Sequence, residues 1–450
     1  MNSEQSYLSW LVILVTVLTC LLVDLDFKNW RESERIIEHD IHHYYGYLPA
    51  QFILDDIKIE KSDYQYEEGK YWFWQVPTNG GKRVFKMTCG LAVLYSPFFF
   101  IGHQVAIWFD YPATGFSEPY KFFLLLSSLF YLFVGLFFVR KLLKKFDFSE
   151  NVIAITLAII GLGTNLFCYS SQAAPMSHVY SFSLIAAFVY FVIRYYETNK
   201  ISYLIFLSLS MGLISLVRPS NVIVFIIFLF YDCKTFKDFG AKSISMLNLF
   251  IIFFFILLVW IPQFAYWKIS TGNFLVFTYG NEEKFYFLDP KIIDGLFSFR
   301  KGWLVYTPLI VFALAGIFWL KDKLAQIKLG LIIFLIINIY VVFSWWCWWY
   351  GGSYGQRALI DSYALLAIPL AAFVNYIAAK KWYIKLPFSI LVLFFIWLNI
   401  FQTYQYEFKS LHYEAMSKKL YFKQFGKLNK IDKFDEYLIW PNTKKALNRE

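Results

Sequence analysis

Residues 89–108 read CGLAVLYSPFFFIGHQVAIW, and whether that stretch crosses a bilayer decides the topology of everything around it. A membrane helix needs about 20 mostly apolar residues, which cover the hydrocarbon core and satisfy every backbone amide and carbonyl within the segment. The stretch has the length, but Pro97, Gly102, His103 and Gln104 interrupt it. It reads either as an imperfect span or as a helix lying along one surface.

Outward from it, apolar runs of spanning or near-spanning length occur at 7–23, 120–139, 151–169, 179–193, 201–217, 220–232, 246–266, 303–320, 329–346, 358–378 and 386–402. The composition agrees: of 450 residues, 58% are hydrophobic, 22% aromatic and only 16% charged, where a soluble domain carries about 25% charged residues. This much apolar surface excludes a soluble fold and implies an all-α polytopic membrane protein. Residues 7–23 are followed by no small-residue cleavage site, and Glu4 stands where a signal peptide is basic, so they read as an uncleaved first span. Cys20, Cys89, Cys168, Cys233 and Cys347 are scattered without metal-type spacing and read as apolar filler.

A formal charge of +10 suits a nucleic-acid partner only when the basic residues form one patch. Here they fall in short clusters in alternate loops: Arg140, Lys141, Lys144 and Lys145; Arg194 and Lys200; Lys234, Lys237 and Lys242; Lys321, Lys323 and Lys328; Lys380, Lys381 and Lys385. No nucleic-acid partner is expected. By the positive-inside rule those loops are cytoplasmic. The opposite loops, SSQAAPMSH (170–178), RPSN (218–221), 267–302 and WWYGGSYGQR (348–357), are then outside, as is the chain after Gln402. The N-terminal part has two solutions. If 89–108 spans, loop 24–88 is cytoplasmic, which Lys28, Arg31 and Arg35 favour; if it does not, loop 24–119 is outside.

EHDIHHYYGYLPAQFILDD (38–56), followed by GKRVFKMTCGLAVLYSPFFFIGH (81–103), resembles the first extracytoplasmic loop of GT-C glycosyltransferases. That group includes the protein O-mannosyltransferases and the bacterial transferases that move aminoarabinose onto lipid A. SFRKGWLVYTPLIVFALAGI (298–317) and WWYGGSYGQRALIDSYALLAIPLA (348–371) also resemble segments of bacterial members. The resemblance is architectural over most of the chain and motif-level in these four patches. It implies a GT-C fold of about 11 transmembrane helices over residues 1–402, with surface-lying amphipathic helices in the first extracytoplasmic loop (24–119) and a polar, extracytoplasmic tail at 403–450. It also implies a bacterial inner-membrane location, a polyprenyl-phosphate sugar donor displayed among the membrane lipids, and a protein, lipid or glycan acceptor outside the cytoplasm.

Transfer from such a donor needs a carboxylate to take the acceptor's proton and cations to hold the departing phosphate. Asp40 matches the family's loop acid; Asp55 and Asp56 follow the amphipathic stretch as alternatives, and Glu38 is weaker. For the phosphate, Lys86, Arg300, Lys301, Arg218 and Arg357 stand near the outer face. Lys86 matches a family Lys, although Met87 and Thr88 replace the two prolines that follow it there. A single boundary Arg snorkels to lipid headgroups by default, whereas several converging cations make a phosphate site.

His42, His43, His178 and Tyr354 complete the wider candidate set. Adjacent His42 and His43 point about 100° apart on a helix, which does not suit one shared ion. A divalent cation, Mg or Mn, enters only through the resemblance, and His178 is the lone titratable group in the loop where metal-using relatives carry an acid. Trp345, Trp346, Trp348, Trp349 and Tyr350 read as an interfacial belt. Two other classes share parts of this pattern. An O-antigen ligase or polymerase would concentrate function in a late loop such as 267–302, and a lipid or polysaccharide transporter would carry mid-membrane charges or repeats, where here the charges crowd the loops.

Overall fold

The computed structural model describes residues 7–449 except 61–72, 74, 79, 243, 281 and 282. It is an all-α protein: α1 (Leu8–Phe27), the short α2 (Asp40–Tyr45) and α3 (Tyr47–Phe52), α4 (Gly90–Trp108), α5 (Glu118–Lys145), α6 (Glu150–Leu162), α7 (Leu166–Ser170), α8 (Ser177–Thr198), α9 (Ile201–Val217) and α10 (Ile226–Phe230). There follow α11 (Phe236–Ala241), α12 (Met246–Thr271), α13 (Ile292–Phe297), α14 (Trp303–Tyr306), α15 (Ile310–Gly316), α16 (Ala325–Ser344), α17 (Tyr363–Ala378), α18 (Trp382–Glu407), α19 (Lys418–Gln424) and α20 (Thr443–Asn448). A two-residue antiparallel ladder pairs Val76–Pro77 with Arg83–Val84. Among the described residues, eight helices are long and apolar enough to cross a membrane and four shorter apolar helices accompany them. The chain is a multi-pass membrane protein.

Local chemistry sets the helix ends. Pro119 occupies the first turn of α5, where its missing N–H costs nothing, and Lys144 and Lys145 close the last turn at the negative end of the dipole. Gly272 ends α12 in the left-handed conformation, φ +83°. α17 is enclosed by its neighbours, whereas α12 and α18 are peripheral and expose Phe250, Phe253, Leu257, Ile390, Leu393 and Trp397. Such stripes on long apolar helices suit lipid contact.

Three runs expected as single spans are broken. The run 151–169 becomes α6 and α7, separated by Gly163, Thr164 and Asn165. Asn399 Nδ2 donates to the carbonyls freed there, Leu162 O and Thr164 O, at 2.8 Å each. The run 220–232 becomes a 3₁₀ turn (Pro219–Phe225) leading into α10. The run 303–320 splits at Thr307–Pro308, because proline removes an N–H and disfavours helix in the residue before it. The expectation that charges keep to the loops also needs correction: Asp24, Lys121, Arg140, Glu150 and Asp361 are all buried within helical segments.

The five basic clusters meet at one end of the bundle. Lys145 pairs with Glu197 at 2.6 Å and Lys323 with Asp147 at 2.8 Å. Lys242 Nζ donates to Tyr231 O at 2.9 Å, and Tyr231 Oη to Gln326 Oε1 at 3.0 Å. Lys380 lies over Tyr376, which packs on Trp319.

α4 meets the opposite end of the bundle at both Gly90 and Gly102. Gly90 abuts the backbone of Leu216 and Val217 where α9 finishes, so closely that a Cβ would lie 2.6 Å from it. The middle of α4 touches the start of α8, through Tyr95 against Tyr180 and the Tyr95 hydroxyl bond to Pro175 O. Gly102 lies against Pro119 and Tyr120 where α5 begins.

Candidate functional site

The first loop places Asp40 by packing its aromatic residues beneath α4. Asp40 is the first residue of α2, and Ile41, His43, Tyr44 and Tyr45 behind it are buried. The Tyr45 hydroxyl donates to Gly115 O, and the Tyr47 hydroxyl donates to Met87 O at 2.7 Å. Gly46 joins α2 to α3 where a Cβ would meet the Phe85 ring at 2.5 Å. Arg35 anchors the chain just upstream, donating from Nη2 to both carboxylate oxygens of Glu407 at 2.8 and 2.6 Å, while Gln172 donates to the same group at 2.7 Å.

Asp40 itself is half-buried and keeps 36% of its side chain open to solvent. Burial alone would raise its carboxyl pKa. Arg357 first, with His43 and Lys86 beside it, outweighs that and holds the group below its ordinary range. Arg357 Nη2 donates to Asp40 Oδ2 at 3.2 Å. A carboxylate that stays ionised and accessible is suited to accept a proton.

A second cation, Arg218, faces the same region from the end of α9, and Tyr44 lies within electrostatic reach of Asp40, Arg218 and Arg357 together. Arg218 is fixed from behind. Its Nη1 donates to Asp361 Oδ2 at 3.0 Å, which also accepts from Asn221 Nδ2 at 2.8 Å. His178 Nδ1 lies 2.8 Å from Arg218 Nη1 and 3.2 Å from Asp361 Oδ1. Because the guanidinium can only donate, the assigned tautomer is the neutral one with Nδ1 accepting. His178 therefore belongs to the support of Arg218.

Lys86 closes the third side. Its Nζ donates to both oxygens of Glu283, at 2.7 and 3.0 Å, and lies 5.0 Å from the centre of the Tyr279 ring. Its backbone N–H donates to His43 Nδ1 at 3.3 Å, which turns His43 toward the Lys86 backbone.

Four of the sequence candidates thus converge: Asp40, Lys86, Arg218 and Arg357, with His43 and His178 as their supports. Others are engaged elsewhere. Lys301 Nζ is buried and donates to the carbonyls of Ser353 and Tyr413; burial and then the nearby Arg357 lower its pKa to about 7. Arg300 Nη1 donates to Glu414 O at 2.9 Å, so this pair holds the C-terminal tail rather than facing Asp40. Tyr354 is fully buried, its hydroxyl between Asn399 and Gln402 at 3.1 Å each. Asp55 is exposed beyond α3, and Asp56 Oδ2 accepts the N–H of Glu60 in a local turn. His42, on the same helix as His43, has a half-buried side chain.

The tail, expected as a polar extension, folds back over this end of the molecule: Tyr286 Oη bonds Leu447 O, and Arg449 Nη2 donates to Phe343 O at 3.3 Å. Sequence reasoning passed over Asp361, Asn221, Tyr44, Tyr279 and Glu283. Asp361 had a usable signal, being a lone acid inside the apolar run 358–378, where an ionisable group is costly unless paired. Glu283 had none, since one acid in a 36-residue polar loop says nothing of its partner.

Among the described residues, no three His, Cys, Asp or Glu side chains converge as ligands for a metal ion. At this site Asp40 already faces a guanidinium and Asp361 is saturated by Arg218 and Asn221, so the donor set does not fit a divalent cation. In comparison with known proteins, no family model matches the chain, and no curated protein is significantly similar to it. The fold and site together define a multi-pass membrane protein with three cations, each paired with a carboxylate, gathered at the end of its bundle opposite the basic loops.

Proposed function

We propose that this protein is a membrane glycosyltransferase that moves a sugar from a polyprenyl-phosphate donor to an acceptor outside the cytoplasm, in the manner of the GT-C enzymes its sequence resembles. One observation carries the reading: Asp40, held ionised and partly open to solvent, stands beside Arg357 and within electrostatic reach of Lys86, with Arg218 facing the same Tyr44. The acceptor hydroxyl gives its proton to Asp40 as it attacks the anomeric carbon, and the cations take up the charge that grows on the departing phosphate.

The topology is consistent with this role. With the basic clusters in the cytoplasm, the Asp40 site lies outside, α4 meets the outer ends of α5, α8 and α9, and the long and short apolar helices without α4 number eleven among the described residues. The first loop is then external despite Lys28, Arg31 and Arg35, since Arg35 is neutralised by Glu407. The C-terminal tail and loop 267–302 pack on the same outer end.

Asp40→Asn should lower sugar transfer by about 10²–10⁴-fold, measured with a radiolabelled lipid-linked donor in membranes, while insertion and thermal stability stay at wild-type levels. Wild-type rates in that variant would remove the assignment. Cysteine labelling at Lys58 checks the topology independently: protection from an impermeant reagent applied outside would place the loop in the cytoplasm and end the proposal.

A further inference from the structure

The charges at the Asp40 site balance without any substrate. Lys86, Arg218 and Arg357 face Glu283, Asp361 and Asp40 respectively, each cation with its own carboxylate. Two of these carboxylates have settled duties. Asp361 is buried, with Asn221 as a further donor, and Asp40 is the proposed base. Glu283 differs: it stands in a loop, outside any helix, with 27% of its side chain open.

Its contact with Lys86 has the form of an anion site. Both oxygens accept from one ammonium group, which also lies over the face of Tyr279, and Thr278 Oγ1 donates to Lys86 O at 2.7 Å. Loop residues on either side are apolar and exposed: Phe274, Leu275 and Phe277 before the pair, Phe287 and Leu288 after it. Phe287 stacks on Tyr340, one turn before α16 ends, so this rim borders the apolar flank of the bundle. A cation beside an apolar rim matches a phosphate carried on a hydrocarbon chain.

A phosphate that binds Lys86 while Glu283 stays in place would set two anions on one ammonium group, a like-charge arrangement that costs free energy. We propose that Glu283 is an exchangeable counter-anion: it occupies the phosphate position on Lys86 when no donor is present and is displaced by the incoming lipid phosphate. The proposal rests on the glycosyltransferase reading and adds a residue that sets donor affinity. Its presence keeps an otherwise bare cation neutral at the membrane edge, at the cost of weaker donor binding.

The test uses the full chain purified in detergent and farnesyl phosphate as probe, with binding measured calorimetrically. Glu283→Gln keeps the side chain's size and removes its charge, and it should bind about 3- to 10-fold tighter than wild type. Lys86→Ala should bind more weakly, and the double variant should match Lys86→Ala, because the gain needs the ammonium group. Equal or weaker binding by Glu283→Gln overturns the proposal, as does a gain that survives in the double variant or the absence of binding by every variant. Sugar transfer is read separately. Asp40-dependent transfer without the tighter binding would sink the counter-anion alone, and tighter binding without any transfer would sink the transferase reading alone.

Discussion

The two ends of the bundle are both rich in cations, and they use them differently. At the basic end, Lys323 and Asp147 form a pair with 47% and 78% of their side chains exposed, Lys145 and Arg194 share Glu197 near the surface, and one pair, Arg140 with Glu150 at 3.3 Å, is buried. At the Asp40 end, Arg218 and Arg357 are 16% and 17% exposed and each meets an aspartate from a distant part of the chain. Water screens the exposed pairs of the first set, whose contacts are worth little. The second set is held in place because its charges have lost most of their water and must be answered by named partners. The proposed site therefore differs from the basic end in bringing together ion pairs from distant parts of the sequence, and not in its density of Lys and Arg.

The comparison can be broken most sharply at Asp361. Replacing it with Ala leaves Arg218 without its carboxylate, and the loss should be on the order of 3–5 kcal/mol, seen as a lowered midpoint in thermal unfolding in detergent. A change too small to measure would mean that the Asp40 end tolerates unpaired charge as the basic end does.

Arg357→Gln probes the same end through activity. It removes one donor from the proposed leaving-group site and should slow transfer by roughly 100-fold. It also alters pH dependence. Burial raises the Asp40 carboxyl and Arg357 is the first of the charges that lower it, so without Arg357 the pKa rises and the acid limb of the rate profile moves to higher pH. The sign for stability follows: the Asp40 carboxyl lies below its unfolded value, so the ion pair's contribution is present above that value and is lost as pH falls through the depressed one. An unmoved acid limb would detach Asp40 from the rate.

The smallest effect belongs to the basic end. Lys323→Ala should cost less than about 1 kcal/mol and leave transfer unchanged, and a large loss of either kind would erase the contrast between the ends.

Much of this was legible in the sequence, and the failures share a cause. The period and length of apolar runs located the helices, since a lipid-facing backbone must close its hydrogen bonds locally. The same reading joined α6 to α7 and α14 to α15, because a break inside the bundle is set by distant donors such as Asn399, which no window of local sequence contains. Asp40, Lys86, Arg218 and Arg357 were identifiable as charged residues near one face. Lys301 and Arg300 looked equivalent to them and are not, since their partners are backbone carbonyls of the tail and, for Lys301, of Ser353 as well.

Sequence alone thus determined that the chain is an all-α membrane protein and which residues were eligible for its chemistry, because composition and periodicity respond to the solvent around each segment. Tertiary structure decided which eligible residues meet. Residues 89–108 have the length of a span, and their local pattern admits two placements. Only its packing bears on the choice, through Gly90 against the end of α9 and Gly102 against the start of α5, because position in a folded chain is fixed by packing partners far away in sequence.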